Sequence, residues 1–468
     1  RLLIERAVAA LGEGQAAALG GDRAALHAVR SGDLDVDLGG DQRRTWRLQI
    51  SEAIRRRAVL LATASGALLL ACAAPMTGVD TPPIVFVHGN GETAALWVAT
   101  IWRFESNGWP RDRLHAIDMP YPLARDDDAK EQPGRSSTAE HMAHLAAEVR
   151  KVLAATGAKK VVLVGNSRGG YAIRNFIANG DGAAVVSHAI LGGVPNHGVY
   201  ANPARAPGGE FNGAGPFLTA LNRPGPDGNE VTPGVAWLTI RSDRNDKYAQ
   251  PDGALLGAPG VPTGVSYDGP ALRGAENVVI AGVDHRETSF SAQAFAATYR
   301  FITGRAPATL AIVPEGRVVL DGVVSGLGLD NRAGDFATNL PLVGATVEAY
   351  AVDAASGERR GNAVHTKTIG SDGRWGPFVA DASARYEFVI AAPGYATTHL
   401  YRSPFPRSSS IVSLHPERLA DGRIRLRVQT ARAGDGEIDA VVEIGGAVAS
   451  RQGLNIPGEA ASLPSVPA

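Results

Sequence analysis

The residues with the clearest chemical content are Gly165-Asn166-Ser167-Arg168-Gly169, directly after the apolar run 161–164. A helix-like segment, 171–178, follows them. A serine at such a strand-to-helix junction has the spacing of a nucleophile elbow, and the turn is too tight for a Cβ at either flanking position, so glycine stands there. A serine hydroxyl is a weak nucleophile near neutral pH. It needs a histidine as base and a carboxylate that holds the imidazole in the right tautomer. Residues of these types together perform acyl transfer, by attack on a carbonyl carbon.

The elbow pattern resembles that of α/β-hydrolases, in which the partners follow the serine with the acid before the histidine. His285 stands just after the apolar run 277–280, in Ile280-Ala281-Gly282-Val283-Asp284-His285. Two carboxylates, Asp243 and Asp246, follow the run 235–240 in Arg241-Ser242-Asp243-Arg244-Asn245-Asp246. Asp284 adjoins His285 too closely to face its ring, and His197, which precedes the acid, is the weaker alternative to His285. An oxyanion developing at the carbonyl needs aimed donors. The backbone N–H of Arg168, just after the serine, supplies one. The backbone N–H of Asn90, in the loop His88-Gly89-Asn90-Gly91, supplies the second, with His88 orienting that loop.

These residues must be held by a scaffold, and the apolar patterning supplies one. Strands are expected over 84–87, 114–118, 161–164, 184–191, 235–240 and 277–280, and helices over 94–107, 137–156 and 289–301. The second helix opens on Ser-Ser-Thr-Ala-Glu, which has capping potential. Strands alternating with helices of this length predict an α/β fold: a mostly parallel sheet with helices on both faces, over about residues 82–305. Past Gly304-Arg305-Ala306-Pro307 the rhythm changes to short alternating runs broken by Gly, Asp-Gly and Pro, which predict an all-β sandwich or barrel over 306–456. The Pro-, Ala- and Ser-rich end, 457–468, is expected to be disordered. A Gly-, Pro- and Asn-rich insertion, 192–234, falls between two strands on the side where a site would open, and reads as a lid or cap, or as a long surface loop.

Composition narrows the function further. The chain has 468 residues and a net charge of −1, so no bulk attraction to nucleic acid is expected. No cofactor is expected either. The histidines lack zinc-type spacing; His141 and His144 sit three apart on what reads as a surface helix without a third ligand, so no metal site is expected. The single cysteine, Cys72, closes the apolar run 58–71, which Arg55-Arg56-Arg57 precedes. That run falls short of the about twenty residues that cross a bilayer but suits the core of an export signal. Leu69-Leu70-Ala71-Cys72 resembles a bacterial lipobox, so 55–72 predicts an exported protein (periplasmic, outer-membrane lipoprotein or secreted) with membrane anchoring through a lipidated Cys72. A short buried helix ending in a core cysteine is the other reading. Residues 1–54 receive no assignment.

Several segments together resemble the bacterial and archaeal lipases of the α/β-hydrolase fold: Val-His-Gly-Asn (87–90), Gly-Asn-Ser-Arg-Gly (165–169), Pro-Asn-His-Gly (195–198) and Phe-Leu-Thr-Ala-Leu-Asn (217–222). The junction 301–314 and Tyr401-Arg402-Ser403-Pro404-Phe405-Pro406-Arg407-Ser408 are similar to archaeal long-chain lipases whose C-terminal β domain binds lipid, and the likeness covers roughly 82–415. Segments 341–347 and 392–395 also resemble carboxypeptidase-regulatory-like sandwich modules. The resemblance implies carboxylic-ester hydrolysis, with a small ester or lipid as substrate and Ser167 and His285 at the catalytic positions. Lipase-like hydrolases often place the acid in a strand-end turn with proline a few residues later, which Asp246 fits better than Asp243. There are two departures. Such lipases often have His before the serine, where Asn166 stands here with Arg168 after it. The archaeal acid stands one strand earlier, where 189–193 offers no carboxylate. A polar mouth beside the serine is therefore expected, compatible with shorter or more polar acyl groups. A polymer depolymerase of the same fold, or a surface-binding lipoprotein without activity, are the competing readings.

Overall fold

Strands covered on both faces must be apolar throughout, and the two runs that read this way lie side by side at the centre of one sheet. The computed structural model describes residues 81–253, 256, 258–327, 337–354, 356–395, 397–416, 425–433 and 437–445, the last two segments by their backbone alone. Residues 1–54, the export-like segment 55–72 with Cys72, and the tail 457–468 lie outside the described residues. The chain alternates β1 (Ile84–Val87), α1 (Val98–Ser106), β2 (Leu114–Ile117), the two-residue β3 (Leu123–Ala124) and β4 (Arg135–Ser136), α2 (Thr138–Thr156), β5 (Val161–Asn166), α3 (Arg168–Asn179), β6 (Val186–Gly192), α4 (Pro216–Leu221), β7 (Ala236–Ser242), β8 (Glu276–Ile280) and α5 (Ala292–Thr303). The sheet has the order β2-β1-β5-β6-β7-β8 with every pair parallel. β1 and β5 are fully buried, as a central parallel sheet requires.

One face of the sheet packs Val85, Val87, Leu163, Ala189 and Leu191 against Leu145 and Val149 of α2 and Ile173 and Phe176 of α3. The other packs Ile84, Phe86, Val162, Val164 and Ile190 against Phe104 of α1 and Phe295 and Tyr299 of α5. This is the α/β architecture expected, with the parallel sheet covered on both sides. α2 begins with a complete capping box between Ser137 and Glu140. His141, read from sequence as a surface residue, is buried among the residues of that helix's core face, and burial pushes its imidazole well below the usual range.

The insertion after β6 is bolted down by polar groups. Arg168, at the start of α3, is fully buried, and its guanidinium donates to both oxygens of Glu210 at 2.6 and 2.9 Å, to Pro122 O and Ser136 Oγ at 3.0 Å, and to Ser136 O at 2.6 Å. Burial lifts the Glu210 carboxyl above its usual range, with Arg168 beside it opposing the rise. Arg174 donates to Leu221 O and Glu230 O, and the Tyr171 hydroxyl to Pro195 O. The insertion is thus a cap packed on α3.

The all-β part comprises β9 (Val318–Leu320), β10 (Ser325–Leu327), β11 (Ala337–Pro341), β12 (Thr346–Val352), β13 (His365–Thr368), β14 (Phe378–Ala380), β15 (Arg385–Ala391), β16 (Thr398–Arg402), β17 (Arg425–Ala433) and β18 (Glu437–Gly445). The sheet β13-β12-β15-β16-β18-β17 is antiparallel, and the pairs β9·β14 and β10·β11 are antiparallel too. Val347, Ala349, Phe388, Ile390 and Leu400 of the large sheet share a core with Val318, Leu320, Val324 and Trp375, so the domain is built as a sandwich. The same core takes in Trp102 of α1, whose indole donates to Ser408 O at 2.8 Å and meets Phe405 edge-on. Arg103 donates to Leu310 O at 3.0 Å, and Asn107 exchanges two bonds with the backbone of Thr309. α1 thereby serves both domains, a role its sequence does not announce.

Two predictions follow from these buried charges. Removing one partner of a buried ion pair leaves the other uncompensated, at a cost of about 3–5 kcal/mol. Glu210→Ala is expected to lower stability by that order in denaturant titration, with Glu210→Gln intermediate. In the β domain, burial works against the charge of Glu387, but hydrogen bonds from His399, Arg359 and Tyr401 prevail and hold its carboxyl down to about 2. A depressed carboxylate contributes stability that is complete above its ordinary value of 4.5 and is lost as pH falls toward 2, here on the order of 3 kcal/mol. Melting temperature recorded from pH 6 to pH 2 should therefore fall more steeply for the native chain than for Glu387→Gln.

Candidate active site

Ser167 closes β5 with φ 48° and ψ −122°, a left-handed conformation that costs a non-glycine residue on the order of 1–3 kcal/mol. Its N–H is held by Gly192 O at 3.0 Å, and the next turn closes through Gly170 N–H to Ser167 O at 3.0 Å. A Cβ at Gly169 would stand 2.5 Å from Val87 O and 2.6 Å from His88 O, so the start of α3 lies directly on the end of β1. Glycine is needed there for this close approach, and the serine rises between β1 and β6.

Behind the serine, Asn166 acts as a strut. Its amide donates to Ser289 Oγ at 2.7 Å and Gly192 O at 3.1 Å, with His285 O at 3.5 Å. The side chains of Asn166 and Arg168 are both fully buried, so the expected polar mouth is not built from the charge of Arg168. Arg168 points to the cap and Asn166 ties the elbow to the histidine loop. That double service was invisible in the sequence, where the two residues flank the serine.

The histidine loop follows β8. His285 is buried, and its Nδ1 lies 2.9 and 3.0 Å from the two carboxylate oxygens of Asp246. Asp246 also accepts from Tyr248 N–H at 2.9 Å, and the Tyr248 ring meets the imidazole edge-on at 4.5 Å between centroids. A Cβ at Gly193 (φ 59°) would come within 2.6 Å of His285 O, so the end of β6 presses on this loop as well. Asp243 is occupied differently: it accepts from Asn245 N–H and Gly282 N–H, at 3.1 Å each, and shapes the turn. Asp284 caps the backbone N–H groups of Arg286 and Glu287 and does not meet the imidazole. His197 pairs with Glu230 at 3.2 Å. Of the sequence candidates, the structure brings Asp246 to His285, and leaves Asp243, Asp284 and His197 on other partners.

The oxyanion candidates lie on two sides of the serine. The backbone N–H of Arg168 opens α3, where the first N–H groups of a helix are free to point at an anion. On the β1 loop, Gly89 N–H is taken by Glu92 at 3.0 Å, while the Asn90 side chain accepts from Ala124 N–H at 2.8 Å and Gly91 N–H bonds Pro122 O at 3.2 Å. These bonds fix the loop around Asn90. His88 is buried; Met119 N–H donates to its Nε2 at 3.0 Å, so Nδ1 carries the proton and donates to Gly89 O at 2.9 Å. Burial lowers its pKa, which favours the neutral ring.

Ser167, His285, Asn90 and Asn166 line one pocket of about 420 Å³. Its apolar wall is Val199, Tyr200, Phe211, Tyr248 and Leu256; its polar rim is Glu92, Asn245, Lys247, Asp284 and Arg286. Tyr200 and Phe211 come from the cap, so the insertion does form part of the wall. Arg286 pairs with Glu92, and although burial opposes its charge, that carboxylate raises its pKa. Sequence reasoning missed Glu92, Tyr248 and Arg286. The first is three residues from Gly89 in a tight loop, a spacing that could have suggested its bond to Gly89 N–H; nothing local marks the other two.

Two family models agree with this fold. Residues 82–207 match the family model described as alpha/beta hydrolase fold, and residues 316–419 match the lipase C-terminal domain. A non-heme haloperoxidase of Rhodococcus erythropolis is 29% identical over 167 residues, which is 31% of this chain and 56% of that protein. The chain thus spans little more than half the length of this curated relative. Among solved structures, the mature lipase of Bacillus licheniformis is 20% identical with a TM-score of 0.35, covering 48% of this chain and 93% of that one. A carboxylesterase of Bacillus subtilis is 15% identical with a TM-score of 0.28, covering 48% and 85%. With a parallel sheet and two matched segments in order, residues 82–207 are an alpha/beta hydrolase fold segment and residues 316–419 match a lipase C-terminal domain.

Proposed function

We propose that the protein is a serine esterase or lipase that hydrolyses carboxylic esters through an acyl-enzyme on Ser167. The observation that carries this reading is the pairing of the Asp246 carboxylate with His285 Nδ1 at 2.9 and 3.0 Å, on an imidazole that shares a pocket with the elbow serine. Asp246 keeps the proton on Nδ1, which leaves Nε2 as the base. His285 takes the Ser167 hydroxyl proton as the oxygen bonds the acyl carbon, and returns it to the departing alcohol. Water then attacks the acyl-enzyme with His285 again as base; the acid leaves and the serine is regenerated. The Arg168 and Asn90 N–H groups stabilise the oxyanion in both halves.

The pocket also bears on substrate. It encloses only about 420 Å³, and beside its apolar wall it carries Lys247, Arg286 and Glu92. Short or polar acyl groups suit that mixture better than long chains do. From the 55–72 pattern we further propose export and anchoring through a lipidated Cys72.

A fluorophosphonate probe should label the native protein and leave Ser167→Ala unmarked; failure to label the native protein sinks the enzyme reading. Asp246→Asn should lower kcat by up to about 10⁴-fold, since the imidazole then takes the wrong tautomer. Asp243→Asn should change kcat by less than tenfold, and the reverse ranking would move the acid to Asp243. In a series of p-nitrophenyl esters, kcat/KM should be higher for butyrate than for palmitate, and the opposite order refutes the chain-length assignment. Cell fractionation should find the native protein with membranes and Cys72→Ser in the soluble fraction.

A further inference from the structure

The C-terminal domain reaches the oxyanion loop directly. Asn339, in β11, is buried at the point where that domain meets the ends of β1 and β2. Its backbone N–H donates to Pro120 O at 3.0 Å. Its side-chain amide donates to Met119 O and to Glu92 O, both at 2.9 Å, and stands 3.5 Å from His88 Nε2. The orientation of this amide is set chemically, because an oxygen in the place of its nitrogen would face two carbonyls.

Each of these contacts bears on the segment holding Asn90. Glu92 O closes the β1 loop on its far side. Met119 carries the N–H that fixes the His88 tautomer, and His88 in turn holds Gly89 O. Pro122, two residues beyond Pro120, accepts from Gly91 N–H. We infer that Asn339 of the C-terminal domain is a positioning residue, stapling the β1 and β2 loops together so that the Asn90 N–H is aimed at the oxyanion. This rests on the esterase reading above for its catalytic consequence, but the staple itself is a matter of geometry. It gives the β domain a part in the reaction besides any contact with substrate, because the loop is incompletely held without it.

The test uses the full-length chain with Asn339→Asp and Asn339→Ala. Asn339→Asp keeps the shape and replaces the donors by an oxygen facing two carbonyls. The control is Asn107→Ala, which cuts the α1–Thr309 clamp between the same two domains. Misplacement of a catalytic group by about 1 Å costs up to about 100-fold. Both Asn339 variants should therefore lose about 10- to 100-fold in kcat on p-nitrophenyl acetate with KM within twofold, Asp losing at least as much as Ala. Hydrogen exchange in peptides covering 86–96 should quicken in both and stay native in Asn107→Ala, whose kcat should also stay native. Native exchange in that segment for either Asn339 variant, or a kcat loss matched by Asn107→Ala, overturns the inference. If the native protein shows no esterase activity, the functional proposal fails, and the exchange result alone decides whether Asn339 is the staple.

Discussion

The arrangement of the site follows from one steric constraint, the left-handed backbone of Ser167 at the end of a strand buried on both faces. β5 reaches that point through apolar side chains that fill both layers of the core, so the strand cannot shift to relieve the turn. The strain is tolerated because α3 then lies on the carbonyls of Val87 and His88, a contact closed to any side chain at Gly169. Strained residues persist where their surroundings over-determine them. Here the surroundings are the ends of β1 and β6, and the same strand ends launch the loop of Asn90 and the contact to His285.

Around this turn the protein uses buried polar groups where a simpler core would use apolar ones. Asn166 joins the elbow to the histidine loop, and Arg168 joins it to the cap through Glu210. Buried ion pairs add little net stability compared with apolar packing, but they are unforgiving of misplacement. Directionality is what they contribute here: Arg168 turns into the cap, while Asn166 is held between the elbow and the histidine loop and lines the pocket beside the serine.

The two domains share structure rather than merely adjoining. Trp102 of α1 belongs to the β-sandwich core, Arg103 and Asn107 hold the linker beyond α5, and Asn339 returns from β11 to the loops beside the site. One helix and one strand thus couple the C-terminal domain to the α/β-hydrolase core. Loops held from both sides are better pre-organised than loops held from one, as the oxyanion donor proposed at Asn90 requires.

By itself the sequence determined the periodic elements, and it singled out Ser167 and His285 as the candidates for nucleophile and base. Buried parallel strands read as unbroken apolar runs, Gly-x-Ser-x-Gly marks a turn that few other residues enter, and the change to short runs after Pro307 marks the second domain. Element ends moved by a few residues, as with the helix expected over 94–107, which divides into a short turn and α1. The tertiary structure decided the rest. Asp243 and Asp246 are separated by three positions and have the same chemistry, and the turn after β7 delivers one to the imidazole and the other to backbone N–H groups. The sequence also placed His141 at the surface and Arg168 at the mouth, because local patterning does not tell which polar side chains find buried partners. Asn339 lies more than two hundred residues from the loops it holds. Short-range periodicity records which face of an element is buried; the pairing of distant loops depends on how whole domains pack, and no local pattern carries that.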